Sequence, residues 1–326
     1  VAYAPYEFLW VVKESAYGTT KTSPVAGTDS HYIRLAGANR FQMRPVKRRV
    51  KVASGQGFAA PGYAVGGTWD VRGSLELELC ASQAALLLGW AFTRINAGQT
   101  TPWTTTEPSG DLISCSVFHG IMTDTGTIRR RKYKGVKVHA TRLASSAQNM
   151  TLMARFDLVA QKHEGNADDS SSDPDATAFP APADTAFPVD PFLHCHFTPT
   201  FGGSAIGYAQ SVELVSTPAM DPRYPTGSGA RFLGFDRLRG RTNTVNLDTI
   251  LTASPNWRSS FDALTSDDLS LVWDNGTNSI TVDLKDNNLV DDLRDDLTPG
   301  QVFNQTLRFE NQWDTGNSAD IVFTYA

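Results

Sequence analysis

The sequence predicts a mainly β protein built as two tandem antiparallel β-sandwich or barrel units, each with one short flanking helix. Three observations predict it. Apolar and polar residues alternate along several short runs, the period of a strand with one buried face. An acidic, Pro-rich segment cuts the chain into two parts of similar length. Both parts then repeat one order of elements: an alternating strand, a short helix, further strands.

In the first part, Phe8-Leu-Trp-Val-Val12, His31-Tyr-Ile-Arg-Leu35 and Phe41-Gln-Met-Arg-Pro-Val46 read as strands. Ser74-Leu-Glu-Leu-Glu-Leu79 alternates strictly and puts Leu75, Leu77 and Leu79 on one face. Ser82 is a candidate helix N-cap before the apolar stretch Ala84 to Phe92. Lys134 to Leu143 and Met150 to Val159 close this part as strands.

Residues 163–192 break the pattern. The run HEGNADDSSSDPDATAFPAPADTAFPVDP is rich in Asp, Ser, Ala and Pro, the composition of an extended linker. The domains are therefore 1–162 and 193–326, with the linker between them.

The second part opens on Val212-Glu-Leu-Val215 and Thr244-Val-Asn-Leu-Asp-Thr-Ile250, with Val245 and Leu247 on one face. Ser254-Pro255 then starts a helix over Asn256 to Leu264, capped by Ser with Pro at its first position. Ser270-Leu-Val-Trp273 turns through Asn275-Gly276 into Ile280-Thr-Val-Asp-Leu284. An acidic helix or loop is expected over Asn287 to Leu297, because Leu289, Leu293 and Leu297 recur every four residues. Gly300 to Phe309 and Ala319 to Tyr325 finish the chain as strands. Leu77 and Leu247, Ser82 and Ser254, and Gly135 and Gly300 mark the repeat at offsets of 170, 172 and 165 residues.

Composition narrows the function classes. Hydrophobic residues make up 40% and charged residues 19% of 326, as in a globular protein. No apolar run approaches the roughly 18 to 20 residues of a membrane helix, and the first residues carry neither a basic start nor a hydrophobic signal core. Cys80, Cys115 and Cys195 are odd in number and widely spaced, which argues against a disulfide framework and for a reducing compartment. Charge is uneven: residues 1–163 hold 20 Lys and Arg against 10 Asp and Glu, and the rest hold 9 against 24, so +10 and −15 make the net −5. Such a split suits nucleic-acid binding by the basic half, or head-to-tail association of identical subunits.

Motifs that carry chemistry are missing from the sequence. The glycines between Gly55 and Gly67 lack the Lys-Ser/Thr of a phosphate loop. His194-Cys195-His196 would place two imidazoles on one strand face, but no second cluster has ligand spacing, so no metal site is assigned. The carboxylates from Asp283 to Asp296 lack the order of a calcium loop. No Gly-x-Ser-x-Gly elbow is present. The expectation is a non-enzyme with no catalytic residue, cofactor or metal.

Two basic runs stand out, Arg44-Pro-Val-Lys-Arg-Arg-Val-Lys51 and Arg129-Arg-Arg-Lys-Tyr-Lys134. In a continuous strand, Lys47, Arg49 and Lys51 would form one basic ridge, suited to the acidic half of another subunit. Aromatic residues for single-strand stacking are few, Tyr133 chief among them. The candidate inter-ring or inter-subunit contacts are Arg44, Lys47, Arg48, Arg49, Lys51, Gly55, Gly57, Arg129, Arg130 and Arg131.

Four passages carry a resemblance. Trp10-Val-Val-Lys-Glu-Ser-Ala-Tyr-Gly-Thr-Thr20, Gly66-Gly-Thr-Trp-Asp-Val-Arg-Gly-Ser-Leu75, Tyr133-Lys-Gly-Val-Lys-Val138 and Arg155-Phe-Asp-Leu158 are similar to segments of the tail tube proteins of long-tailed, siphovirus-type bacteriophages. The likeness is clearest over residues 8–162 and looser from Arg231 to Gly240 onward. It implies a tail-tube-like β-sandwich flanked by a helix, whose sheets join around a ring into an inner barrel. Rings would stack into a tube that conducts genomic DNA without sequence-specific binding. Single-domain members form hexameric rings, so two domains per chain imply a trimer in preference to a hexamer. The resemblance brings no catalytic residues. Implied partners are other copies of the chain and further tail proteins such as the tape measure, terminator and distal tail proteins, with no membrane. The virion tail would be its place, after assembly in the host cytoplasm. Rival readings are another virion subunit (a tail terminator, connector or head decoration protein) or a carbohydrate-binding β-sandwich with stacking platforms among Trp69, Trp90, Trp103, Trp257, Trp273 and Trp313, of which Trp90 and Trp257 fall in expected helices and read more simply as core.

Overall fold

Alternation is what makes the strands here, and the buried positions follow it. Leu75, Leu77 and Leu79 are fully buried, and so are Leu269, Leu271 and Trp273, then Ile280, Val282 and Leu284. The residues between them are partly exposed. The computed structural model describes residues 6–20, 29–47, 50–52, 62–64, 69–92, 103–105, 113–122, 128–167, 190–223, 234–250, 261, 266–294, 304–311 and 321–326.

The first half contains β1 (Tyr6–Ala16), β2 (Thr19–Thr20), β3 (Ser30–Leu35), β4 (Arg40–Lys47), β5 (Val50–Val52), β6 (Gly62–Ala64) and β7 (Trp69–Glu78). Helix α1 (Ala81–Phe92) follows, then β8 (Trp103–Thr105), β9 (Cys115–Met122), β10 (Ile128–Ser146) and β11 (Met153–Ala167). In the second half a 3-10 turn (His194–His196) leads into β12 (Phe197–Phe201), β13 (Ser204–Ala205), β14 (Ala209–Arg223) and β15 (Gly234–Ile250). Strands β16 (Ser266–Asp274), β17 (Ser279–Arg294), β18 (Asn304–Asn311) and β19 (Ile321–Tyr325) complete it.

All pairings are antiparallel. In the first half the strand order is β3-β1-β9-β10-β11-β7-β4. In the second it is β13-β12-β16-β17-β18-β15-β14. These are the same order, strand for strand, with β4 in the place of β14 and β10 in the place of β17. Irregularities agree as well. Along β10 the register slips between Tyr133 and Val136 against β9, and between Val138 and Ala140 against β11. Along β17 it slips between Leu284 and Asn287 against β16, and between Leu289 and Asp291 against β18. One shift, 133 to 284 or 138 to 289, superposes both slips at 151 residues.

Helix α1 buries ten of its twelve residues. An indole N–H fixes its seat: Trp90 Nε1 donates to the Val136 carbonyl at 3.1 Å. Gln83 Nε2 donates to the Tyr32 carbonyl at 2.9 Å from the other end. The buried apolar side chains run as one continuous core from Leu9 to Tyr325, through both halves. A separate aromatic group of Phe8, Trp10 and Phe118, with Val12, lies on the other face of β1, where Trp10 stacks on Tyr32 at 5.7 Å.

Several expectations change. The helix begins at Ala81, so Ser82 sits inside its first turn, and the Cys80 carbonyl accepts from the Ala84 amide at 3.0 Å. Residues 287–294 are strand, not helix or loop: the four-residue spacing of leucines gave way to ladder pairing with β18. The counterpart of β10 is therefore β17, and the Gly135–Gly300 offset matched the wrong strands. Likewise the partner of Leu247 is Leu75, each standing in register with a phenylalanine or leucine of the next strand, Phe156 and Leu307. Strand β11 runs on to Ala167 and takes residues 163–167 from the expected linker. His194-Cys195-His196 forms a 3-10 turn in place of a strand start. Of the second expected helix, Asn256 to Leu264, only Phe261 lies within the described residues, and it is helical.

Candidate assembly surfaces

The two halves meet along backbone. Where β9 leaves the flank of β10, strand β14 takes it over: Thr141 pairs Ser216, Leu143 pairs Leu214 and Ser146 pairs Ser211. Sheet hydrogen bonding thus passes from one half into the other without a break. Leu143 and Leu214 are fully buried on one face of this junction. On the other, Arg142 Nε donates to Glu213 Oε1 at 2.5 Å, with both side chains partly in water. Such a pair contributes about 0 to 1 kcal/mol, whereas burying a leucine contributes about 1.5 to 3, so the apolar face holds the junction and the ion pair marks its register.

A hydrogen-bond chain ties the segment before β12 to both halves. Trp273 Nε1 donates to Ser145 Oγ at 3.3 Å, and Ser145 Oγ lies 3.0 Å from His194 Nδ1. The other imidazole nitrogen, Nε2, is 3.1 Å from the Ala209 carbonyl, which can only accept. Nε2 therefore donates to this carbonyl, and Nδ1 shares a hydrogen bond with the serine hydroxyl. Just upstream, Phe192 is fully buried and its backbone exchanges hydrogen bonds with Leu79 and Leu152 at 3.0 and 2.8 Å. Elsewhere β8 pairs with β19, and the Arg241 guanidinium lies 5.1 Å above the Phe92 ring.

Five of the basic residues singled out from the sequence, Arg44, Lys47, Arg129, Arg130 and Arg131, fall toward one end of the first half's sheet. Arg44 stands opposite Arg72, and Lys47 opposite Trp69, near the end of β4. Arg129 stands opposite Ile121, Arg130 opposite Gly120, and Arg131 opposite His119 at the start of β10. Because β4 runs antiparallel to β10 in this order, its last residues and the first of β10 lie toward the same end. Of the residues of the ridge expected over 44–51, Lys47 lies on β4 in the main sheet and Lys51 on β5, which among the described residues pairs with β6 in a two-stranded sheet. Arg48, Arg49, Gly55 and Gly57 lie outside the described residues.

Buried ionisable groups serve the fold. Glu14 Oε1 accepts from Ser116 Oγ and from the Gly135 amide, each at 2.8 Å, and its Oε2 accepts from the Gly18 amide at 2.8 Å. Gly18 and Gly135 both have positive φ, the conformation that aims these amides at the carboxylate. Burial pushes the Cys80 thiol up to about 11 and Cys115 well above its ordinary range, so neither is a ready nucleophile. Among the described residues no group of three or more His, Cys, Asp or Glu is gathered as a metal would require, and no helix is long and apolar enough to cross a membrane. Trp90 and Trp273 are buried in the core and offer no stacking platform to a sugar.

The junction residues Arg142, Leu143, Glu213 and Leu214 were not singled out from sequence. Their signal was there in two alternating runs, Lys134 to Leu143 and Val212 to Val215, with opposite charges on the outward positions. A family model described as phage tail tube protein matches residues 7–318. No curated protein matches the chain.

Proposed function

The chain belongs to the phage tail tube protein family and is a structural component of the tail, and on that premise we propose that its copies close into rings that stack into the tube. The tube serves as the conduit for DNA ejection, and DNA passes through its lumen without sequence-specific contacts. Residues 1–167 and 193–326 act as two tail-tube-like domains joined by the acidic, Pro-rich segment between them. The observation that carries this reading is the recurrence of one seven-strand order in both halves, with the sheet of one half continued by a strand of the other.

One chain then does the work of two single-domain subunits, so three chains make a ring in preference to six. The β4–β7 connection, with Arg48, Arg49, Lys51, Gly55 and Gly57, contacts the neighbouring ring, and Arg129, Arg130 and Arg131 flank it. Other tail proteins meet the tube at its two ends, after assembly in the host cytoplasm. Negative-stain microscopy of the purified protein tests the reading. Tubes or stacked rings with a regular repeat are expected, and native mass measurement of an isolated ring should give three chains. A protein that stays monomeric at every concentration refutes self-assembly, and a six-chain ring refutes the trimer.

A further inference from the structure

The internal junction joins two unlike edges, and the chain owns a second specimen of each that pairs with no strand among the described residues. One edge is the far half of β10, open once β9 has ended at Cys115 opposite Val136. The other is β14, the outermost strand of the second half. By strand order the counterpart of β14 is β4, whose outer side pairs with no strand among the described residues. The counterpart of β10 is β17, whose far half beyond Asn288, opposite Ser266 of β16, pairs on that flank with no strand among the described residues. Open strand edges are templates for pairing with another chain. A contact between two unlike edges of identical chains is head-to-tail and repeats from copy to copy.

We propose that β4 of one copy pairs antiparallel with the far half of β17 of the next, repeating between chains the junction that β14 and β10 make within one. This rests on the self-assembly proposed above and names its edges and register. The register follows from the pairings. Leu75 pairs Phe41 as Leu247 pairs Val212, so β4 maps on β14 by 171 residues. Shifting β10 onto β17 by 151 then turns Arg142–Val215 into Leu293–Arg44 and Leu143–Leu214 into Arg294–Met43.

Further observations favour this partner. In the internal junction the ion pair is diagonal: Arg142 is bonded to Glu213, two residues before its register partner Val215. Between chains the same diagonal sets Asp291 against Arg44, with the signs exchanged. The edge on β4 is basic, with exposed Arg40 and Arg44, while β17 runs through Asp291 and Asp292 and the sequence continues with Asp295 and Asp296. Val290, at the slip of β17 against β18, is a large apolar residue left 39% exposed. Both junctions also end at proline on the edge strand: Pro218 lies two residues past Ser216, and Pro45 takes the place of Ser216 itself.

Disulfide trapping tests the pairing. Two chains are made in a Cys195→Ser background, one with Arg44→Cys and one with Leu293→Cys. Mild oxidation of an assembled mixture is expected to give covalent dimers, and neither chain alone should. Opposed strand residues lie within the roughly 4.4 to 6.8 Å between Cα atoms that a disulfide spans. Rings or tubes visible by microscopy in the mixture, without dimers, overturn the junction and leave the tube reading standing. Failure of the Cys195→Ser parent to assemble overturns both. On the unaltered protein, deuterium uptake at the amides of 40–44 and 291–294 should slow on assembly, and unchanged uptake at both also overturns the pairing.

Discussion

Glu14 Oε1 lies 2.8 Å from the Gly135 amide, so one buried carboxylate ties β1 to the bend in β10. Two of the passages that carry the family resemblance meet at this contact, which makes their shared residues part of the scaffold. Glu14→Gln keeps the size but loses acceptor capacity toward Ser116, Gly18 and Gly135. It is expected to lower stability by about 1.5 to 3 kcal/mol, the range for a hydrogen bond to a charged group. Glu14→Ala should cost more, because the buried Gly135 amide and the partly buried Gly18 amide lose their partner together. Urea titration of both variants checks the order.

The joint between the halves should answer to its apolar face. Leu214→Ala is expected to cost about 2 to 5 kcal/mol, since the side chain is fully buried against Leu143 and β15. Glu213→Ala should cost at most about 1 kcal/mol, since its partner keeps access to water. Equal losses in the two variants would contradict the assignment of the joint to Leu143 and Leu214.

Strand positions in this protein are legible because alternation and burial have one cause. Leu75, Leu77 and Leu79 alternate because α1 and the core cover one face of β7, and any reader of period two finds them. The far half of β17 was misread because its partner β18 pairs across a register slip at Leu289 and Asp291, which breaks the period. Glu14 was invisible as a scaffold residue for a different reason. Its partners at Gly18, Ser116 and Gly135 come from three places in the chain, and only the fold brings them within 2.8 Å. The basic runs were legible as composition, but where they end up depends on strand order, which alternation does not encode.

Stability should fall on mild acidification through three histidines. Burial lowers the pKa of His119 below 6.5 despite Glu7 Oε1 at 3.3 Å from Nε2, with Arg131 adding to the fall. Burial likewise lowers His139, helped by Arg72, and His163, helped by Arg131. A lowered folded pKa means that the unfolded chain binds more protons between that value and 6.5, so stability rises with pH across this window. The contribution is complete above the unfolded value and declines as pH drops below it. Urea midpoints from about pH 7.5 to 5.5, a range above the titration of ordinary carboxylates, should therefore decrease. His163→Gln should flatten the slope, and an unchanged slope would remove His163 from this account.

Gly73 of β7 is packed where no side chain fits. A Cβ there would collide with the Gln42 carbonyl oxygen and the Met43 Cα, both backbone of β4. Gly73→Ala must push β4 away from β7 and is expected to cost at least about 1 to 3 kcal/mol, as overpacking does. Since β4 is also the proposed docking edge, the variant should assemble poorly even under conditions where circular dichroism shows it folded. Normal tubes from a folded Gly73→Ala protein would separate β4 from assembly.

Ring closure and ring stacking should separate by mutation. Arg44 belongs to the edge proposed to close the ring, whereas Arg48 and Arg49 belong to the connection assigned to the neighbouring ring. Arg48→Glu with Arg49→Glu, mixed with the unaltered chain, is expected to leave isolated rings intact and to shorten the tubes. Surface charge acts over about 10 Å at 0.1 M salt, so the shortening should weaken as salt is raised and the repulsion is screened. Arg44→Glu should instead reduce the yield of rings, by setting like charges against Asp291. Tubes of normal length from the Arg48→Glu, Arg49→Glu mixture would move the stacking contact away from this connection, and normal ring yield from Arg44→Glu would deny the charge pairing across β4 and β17.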